Sequence, residues 1–425
     1  MNEPRRLAVL LAGREVARLE RTRAGVLRLE YETDARGATD TPLSLSLPPS
    51  VGTFTGRVVE DYLWGLLPDD ERARRAIATR YEANARDPLS MLAAVGQDCA
   101  GAVQFCLPDE VAATVDRDGT LEPLTDADIE MRLAELRTDE DAGWVMPGEH
   151  WSLGGSQQKF ALRRTDHGWS EARGSAPTSH IVKPGIYRMT AQALVEHVSM
   201  RAAAACGIDV APTEHLWFRT EPALVVTRFD RAPTGGGLGR LHQEDLCQAS
   251  GVAEKYEDRG GPTPDDLIRL LRATARTAQD AAANVERFVD ALVLNVVIAA
   301  PDGHARNYAV LLDHDVVRLA PLFDVASGLA YAYRSGDDRR LAMSIAGQFD
   351  ASAITGETWR RFAGENRLDL DAVLERVHRY ADVVPGAIAA ALEPVDDWDG
   401  TTAALAGRLL PAVGSHLAAV LRSAG

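Results

Sequence analysis

Apolar and polar positions alternate differently in the two halves of the chain, with short strand-like runs early and helical spacing late. Leu7–Leu11 is an unbroken apolar run and Val26–Tyr31 alternates, which predicts two strands. Helical spacing predicts helices over Val58–Leu66, Asp70–Arg80 and Pro88–Val95. The stretch Asp109–Asp141 is charged and runs into Pro147-Gly148, which marks a boundary. From Trp151 to Asp230 the pattern predicts strand, glycine turn, two strands, a helix over Thr190–Ala205 that stops at Gly207, and further strands. Thr234-Gly235-Gly236-Gly237 reads as a linker or hairpin tip. Beyond Leu241, helices are predicted over Glu244–Ser250, Pro264–Thr274, Val285–Ala299, Trp359–Phe362, Leu370–Val383 and Thr401–Leu421. A hairpin-like stretch, Tyr308–Leu312 then Val316–Leu319, interrupts them. No internal repeat and no low-complexity tract is visible.

Composition narrows the function classes. A 425-residue chain with 46% hydrophobic residues suggests two or three domains and a sizeable core. The formal charge of -16 argues against strong direct binding to nucleic acid, which relies on Lys and Arg neutralising phosphates. Cys99, Cys106, Cys206 and Cys247 show neither C-x-x-C nor zinc spacing, so buried thiols in a reducing cytosol are expected. Leu7–Gly13 is followed at once by Arg14 and Glu15, which fits an opening strand rather than a signal peptide. The longest uncharged apolar run, Ala291–Pro301, is too short to span a bilayer. A soluble cytoplasmic protein with no membrane partner is expected.

Only three lysines occur, Lys159, Lys183 and Lys255. Arginine-biased codon usage explains the scarcity but not where the survivors sit. Lys159 ends the turn Gly154-Gly155-Ser156-Gln157-Gln158-Lys159, and Lys183 closes the strand-like His180-Ile181-Val182-Lys183. A compact ammonium suits a phosphate, and these are two places where a kinase needs one. No Ser or Thr follows Lys159, so a Walker loop is excluded. Alone, the turn reads better as an ordinary hairpin, a preference that the motifs downstream reverse. Downstream, Asp302-Gly303-His304-Ala305-Arg306-Asn307 has the D-x-x-x-x-N spacing of a kinase catalytic loop, where the Asp takes the substrate proton and the Asn holds a metal. The plain alternative is an Asx turn. Leu322-Phe323-Asp324-Val325 places a second Asp where a kinase binds metal. Glu196, in the predicted helix after Lys183, is the candidate carboxylate partner for that lysine, and a solvated helix charge is the alternative. His304 is read as orienting the loop by a hydrogen bond and is counted with the ATP-binding residues.

The chain resembles the HipA toxin kinases. Trp151–Leu162 looks like their S-x-x-G-x-Q-x-K signature, and Thr178–Lys183, Arg228-Phe229-Asp230-Arg231, Leu319–Asp324, Pro42–Pro48 and Leu66–Asp69 also fit. The resemblance implies an α+β, protein-kinase-like two-lobed fold: a small N-terminal subdomain (1–108), a β-rich ATP-binding lobe (109–232) and an all-helical C-terminal lobe (233–425). It implies ATP with Mg²⁺, Asp302 as catalytic base and Asn307 and Asp324 as metal ligands. Backbone groups of Thr227, Arg228 and Phe229 are expected at the adenine, although the family more often has Glu where Thr227 stands. Ser152 corresponds to an autophosphorylated serine. A small helix-turn-helix antitoxin, operator DNA reached only through it, and a protein substrate such as the glutamyl-tRNA synthetase are the implied partners. Lys255-Tyr256-Glu257 also resembles a family string, with no role beyond packing. Two rival readings stay open, a small-molecule kinase with the same catalytic pieces and a non-catalytic corepressor.

Overall fold

The computed structural model describes all residues except 1–3, 38–39, 117–118, 140–141, 143, 187–188, 236, 332–339, 396–398 and 425. The chain divides into two compact units, one of 1–184, 216–253 and 310–317, the other of 185–215, 254–309 and 318–425.

The first unit is built on sheets. Five antiparallel strands lie in the order Thr53–Thr55, Leu27–Tyr31, Arg14–Arg21, Arg6–Leu11, Val103–Cys106. The apolar run at the start is unbroken because both faces of its strand are covered. Leu7, Val9 and Leu11 join the main core, while Ala8 and Leu10 pack with Cys106 on the other side. Arg14–Arg21 escapes the sequence reading because charges interrupt it, and its pairing shifts register between Val9 and Leu10. Helices Arg57–Gly65, Glu71–Tyr81 and Pro88–Val95 bury Val59, Leu63, Ile77, Leu89 and Leu92 in the same core. The starts of the second and third follow from capping: the Asp70 side chain accepts from the Arg72 and Ala73 amides, and Asp87 accepts from Leu89 behind Pro88.

A six-stranded sheet follows, in the order Thr213–Phe218, Glu221–Thr227, His180–Lys183, Phe160–Thr165, Gly168–Ala172, Leu121–Leu124. The charged stretch before it contains a helix that the sequence pattern does not announce, Asp126–Thr138. Its buried stripe is Ile129, Arg132, Leu133 and Leu136, so an arginine stands among the apolar positions. Arg132 is tolerated there because it donates to both carboxylate oxygens of the fully buried Glu149 at 3.0 and 2.7 Å and lies over the Phe160 ring. Trp151 makes only a single bridge, to Asp98, so the strand expected before the glycine turn is reduced to one residue. Arg231–Thr234 and Gly237–Arg240 form the hairpin expected at the glycine run, whose Gly236 lies outside the described residues.

The second unit is mainly helical. Leu370–Leu392 packs on Gln192–Ala205, Ala278–Val297 and Thr401–Ala424. The sequence pattern ends the first of these at Val383, because the residue before a proline disfavours helix. The helix instead runs through Pro385, since Val377, Val384, Ile388 and Leu392 bury one continuous face that outweighs a lost backbone bond. Ala278–Val297 starts two turns before the expected Val285, at an N-cap where Thr277 accepts from the Asp280 amide. Thr401–Ser423 is long and apolar enough to cross a membrane, with mean hydropathy 1.4. It is nonetheless a core helix: Leu405, Leu409, Val413, Leu417 and Val420 form a buried stripe, and His416 Nε2 donates to the Val296 carbonyl at 2.8 Å. All four cysteines are buried thiols outside any disulfide.

Candidate active site

The loop after helix Ala278–Val297 is rigid by construction. The Ala300 amide donates to Asn295 O, the His304 amide to Asp302 O, and the Asn307 amide to His304 O, all at 2.8–2.9 Å. Asn307 Nδ2 donates to the Asp302 carbonyl at 2.7 Å and reaches the Asp324 carbonyl at 3.5 Å. Gly303 is required for space, because a Cβ there would lie 2.3 Å from Asn295 Nδ2, which is itself bonded to the Tyr308 hydroxyl. Asp324 adopts the left-handed conformation, with φ of 59°. His304 and Asn307 are buried, whereas the Asp302 side chain is 63% exposed. One carboxylate thus stands out from a buried, internally bonded loop, and Asp302, His304, Asn307 and Asp324 come together within the second unit.

His304 orients this loop through its backbone amide and carbonyl, and its side chain adds no hydrogen bond to it. Its Nε2 lies 3.8 Å from Asp302 Oδ1, too far for a hydrogen bond, and its Nδ1 is buried without a partner among the described residues. Burial lowers the His304 pKa, opposed by Asp302, so the ring is neutral at pH 7 and fills space. The Tyr256 hydroxyl donates to Asp302 Oδ1 instead, at 3.0 Å.

The remaining predicted residues lie in the first unit, apart from Glu196. The turn at Gly154–Lys159 rests on the N-terminal part of its own unit. The Asp69 amide donates to the Gly155 carbonyl at 2.9 Å, and Pro68 and Gly155 form a β-bridge. Gly155 has a φ of 95°. Lys159 turns back, its Nζ donating to the Gly154 carbonyl at 2.7 Å above the Trp144 ring. Ser156 is exposed, Gln157 is half-buried, and Gln158 Nε2 donates to Asp139 O at 3.0 Å. Ser152 is 1% exposed, and its hydroxyl donates to the Leu66 carbonyl at 2.6 Å. Lys183 is buried at the end of its strand, paired in register with Leu224, and Ile181 and Lys183 share a face by alternation. Glu196, in the second unit, is buried and accepts from Gln192 Nε2 at 3.3 Å.

Thr227 pairs with His180, and the Arg228 amide donates to Ser179 O at 3.0 Å, so one of the backbone groups expected at the adenine is already engaged within the sheet. The Arg228 side chain belongs to a buried ionic network that sequence reasoning missed. Asp98 Oδ1 accepts from Arg231 at 2.8 Å and Arg240 at 2.9 Å, and its Oδ2 accepts from the Thr178 amide and hydroxyl at 3.0 and 2.7 Å. Arg228 pairs with Asp230 at 2.8 Å and also bonds Thr178 and the Cys99 carbonyl. Burial pushes the Asp98 carboxyl up, but Arg231, Arg240 and Arg228 prevail and hold it well below the usual carboxylate range. The only signal in the sequence is the charged string Arg228-Phe229-Asp230-Arg231 directly after an apolar strand.

Known proteins share this architecture. A family model described as the HipA N-terminal domain matches residues 7–106, and one described as the HipA-like C-terminal domain matches 151–388. A protein of Sinorhizobium fredii named putative kinase Y4mE is 33% identical over 394 residues, covering 91% of each chain. The serine/threonine-protein kinase toxin HipA of Shewanella oneidensis is 27% identical over 377 residues, covering 84% of this chain and 83% of its own. A solved structure of HipA from that organism, in complex with HipB and operator DNA, superposes with a TM-score of 0.82 at 24% identity over 98% of this chain and 97% of its own. The α+β fold, rich in sheet at the N-terminal end and helical at the other, is therefore that of HipA. With both family domains present in order and the similarity running nearly end to end, this chain belongs to the HipA family.

Proposed function

We propose that the chain is an ATP-dependent serine/threonine protein kinase, the toxin half of a type II toxin–antitoxin pair. The observation that carries this reading is the exposed Asp302 carboxylate on a loop in which Gly303, His304, Ala305 and Asn307 are buried and Asn307 bonds the Asp302 carbonyl. A general base needs rigid support and access to a hydroxyl, and Asp302 has both. Asn307 and Asp324 fit a metal. With Nδ2 engaged by two carbonyls, the side-chain oxygen is what Asn307 has to offer, and Asp324 brings a carboxylate. Two protein oxygens, completed by phosphates and water, suit Mg²⁺. Bound there, Mg²⁺ would offset charge on the transferring phosphates. Lys183 and the turn at Gly154–Lys159 are assigned to the phosphates, with Lys159 leaving the Gly154 carbonyl to reach them.

Ser152 is the proposed autophosphorylation site. Its buried hydroxyl and full hydrogen bond mean that the segment must leave the Leu66 carbonyl before it can be modified. A phosphate carrying about -1.5 to -2 charges could not return to that site, which would keep the glycine turn displaced and switch the enzyme off. The partner proposed is a small helix-turn-helix antitoxin like the HipB seen with the Shewanella protein, and the substrate a protein serine such as one of an aminoacyl-tRNA synthetase. Incubating the purified chain with γ-labelled Mg-ATP and a cell lysate tests this. Label should enter a protein serine, with phosphate also found at Ser152 by mass spectrometry. Label confined to small molecules would instead favour the small-molecule kinase.

A further inference from the structure

The tripeptide Lys255-Tyr256-Glu257 is fastened on several sides within the second unit. The Glu254 carboxylate accepts from the Lys255 and Tyr256 amides at 2.9 and 3.0 Å. The Lys255 carbonyl accepts from the Ala305 amide, inside the Asp302 loop, at 3.3 Å. The Glu257 carboxylate accepts from both the amide and the hydroxyl of Ser344 at 2.7 Å. The Gly261 amide closes the segment onto the Tyr256 carbonyl at 2.9 Å. The Tyr256 ring meets His304 edge-on, with centroids 5.1 Å apart and planes at 85°, and lies beside the Lys255 and Arg259 cations. Its hydroxyl ends 3.0 Å from Asp302 Oδ1.

We propose that Tyr256 is the positioning residue for the catalytic base: its hydroxyl holds Asp302 Oδ1 and so presents Oδ2 to the substrate. The inference rests on Asp302 being the base. An exposed aspartate otherwise samples several rotamers. The loop itself leaves this one undetermined, because it uses the Asp302 carbonyl and not the carboxylate. The buried neutral His304 supplies the wall against which the Tyr256 ring is set. In the transfer, the substrate hydroxyl gives its proton to Asp302 Oδ2 as its oxygen bonds to the γ-phosphorus. The bond from that phosphorus to the β,γ-bridging oxygen breaks and ADP leaves.

Tyr256→Phe tests this, because it keeps the ring against His304 and removes only the donor. Initial rates of label transfer from γ-labelled Mg-ATP to the protein serine of a cell lysate, taken with the full chain before Ser152 is modified, give kcat and the KM for ATP. A fall in kcat of about 10- to 100-fold, with KM for ATP unchanged, is expected for a misplaced base. Unchanged kcat would overturn the proposal, and so would a matching loss of ATP affinity, which would mean a merely structural role. Asp302→Ala, measured alongside, separates the two claims. If it is inactive while Tyr256→Phe is not, only the positioning role fails. If Asp302→Ala retains turnover, or the wild type shows none, the base assignment fails and this inference with it.

Discussion

Two aspartates, one in each unit, are surrounded by opposite environments. Asp98 is 1% exposed, and both its oxygens are taken by arginines and by Thr178. Asp302 is 63% exposed, and among the described contacts it has one tyrosine hydroxyl on one oxygen. Buried charge is tolerated only when every lone pair is matched, and a matched carboxylate has no capacity left for a substrate. Chemistry calls for the reverse arrangement, a carboxylate left incomplete on a scaffold that is complete. The Asp302 loop has that form, because backbone bonds and the Asn307 side-chain amide tie it together and the Asp302 carboxylate projects from it. By this criterion the Asp98 network is architecture. It ties Asp98 and Cys99 to Thr178, to Arg228 and to the hairpin that carries Arg231 and Arg240.

Removing Asp98 should have the largest effect. Asp98→Ala leaves guanidinium groups buried without their counter-charge and is expected to lower unfolding stability by about 3–5 kcal/mol, read by urea denaturation. A loss below about 1 kcal/mol would mean that the network does not hold the first unit together.

Glu244 sharpens the contrast, because it is a buried carboxylate with no arginine beside it. It accepts from the Leu45 amide at 2.8 Å, and burial raises its pKa to about 8 despite help from Ser44 and Leu45. The folded state therefore holds a proton that the unfolded chain releases near pH 4.5, and the associated stability is lost as pH rises through about 8. Burial shifts His197, His215 and His242 down to about 4, so they act in the opposite direction, and only below about pH 6.5. Between pH 6.5 and 8 the wild type should lose about 2 kcal/mol that Glu244→Gln does not lose. Parallel stability curves for the two proteins would contradict this.

Local signals were legible in the sequence, and contacts between distant residues were not. Pro88–Val95 and Pro264–Thr274 fall where expected because a cap and a proline fix each start within a few residues. Asp126–Thr138 was hidden because its stripe includes Arg132, whose partner Glu149 lies beyond the helix. Asp302, Asn307 and Asp324 could be found because their spacing along the chain is itself the motif. Tyr256 stands 46 residues before Asp302, and Asp98 stands 133 before Arg231, so nothing near either residue announces the pairing. Arg228 was legible as part of a motif, but its side-chain bonds were not, because a string of residues does not show that the guanidinium reaches Asp230, Thr178 and the Cys99 carbonyl.

The most direct test of this contrast is Asp302→Ala, assayed for both stability and transfer. Its melting temperature should match the wild type, because an exposed carboxylate holds nothing together. Phosphoryl transfer from γ-labelled Mg-ATP should fall by ~10²–10⁴-fold, as loss of a general base requires. A variant that melts lower yet still transfers phosphate at the wild-type rate would make Asp302 a structural residue like Asp98 and contradict the account.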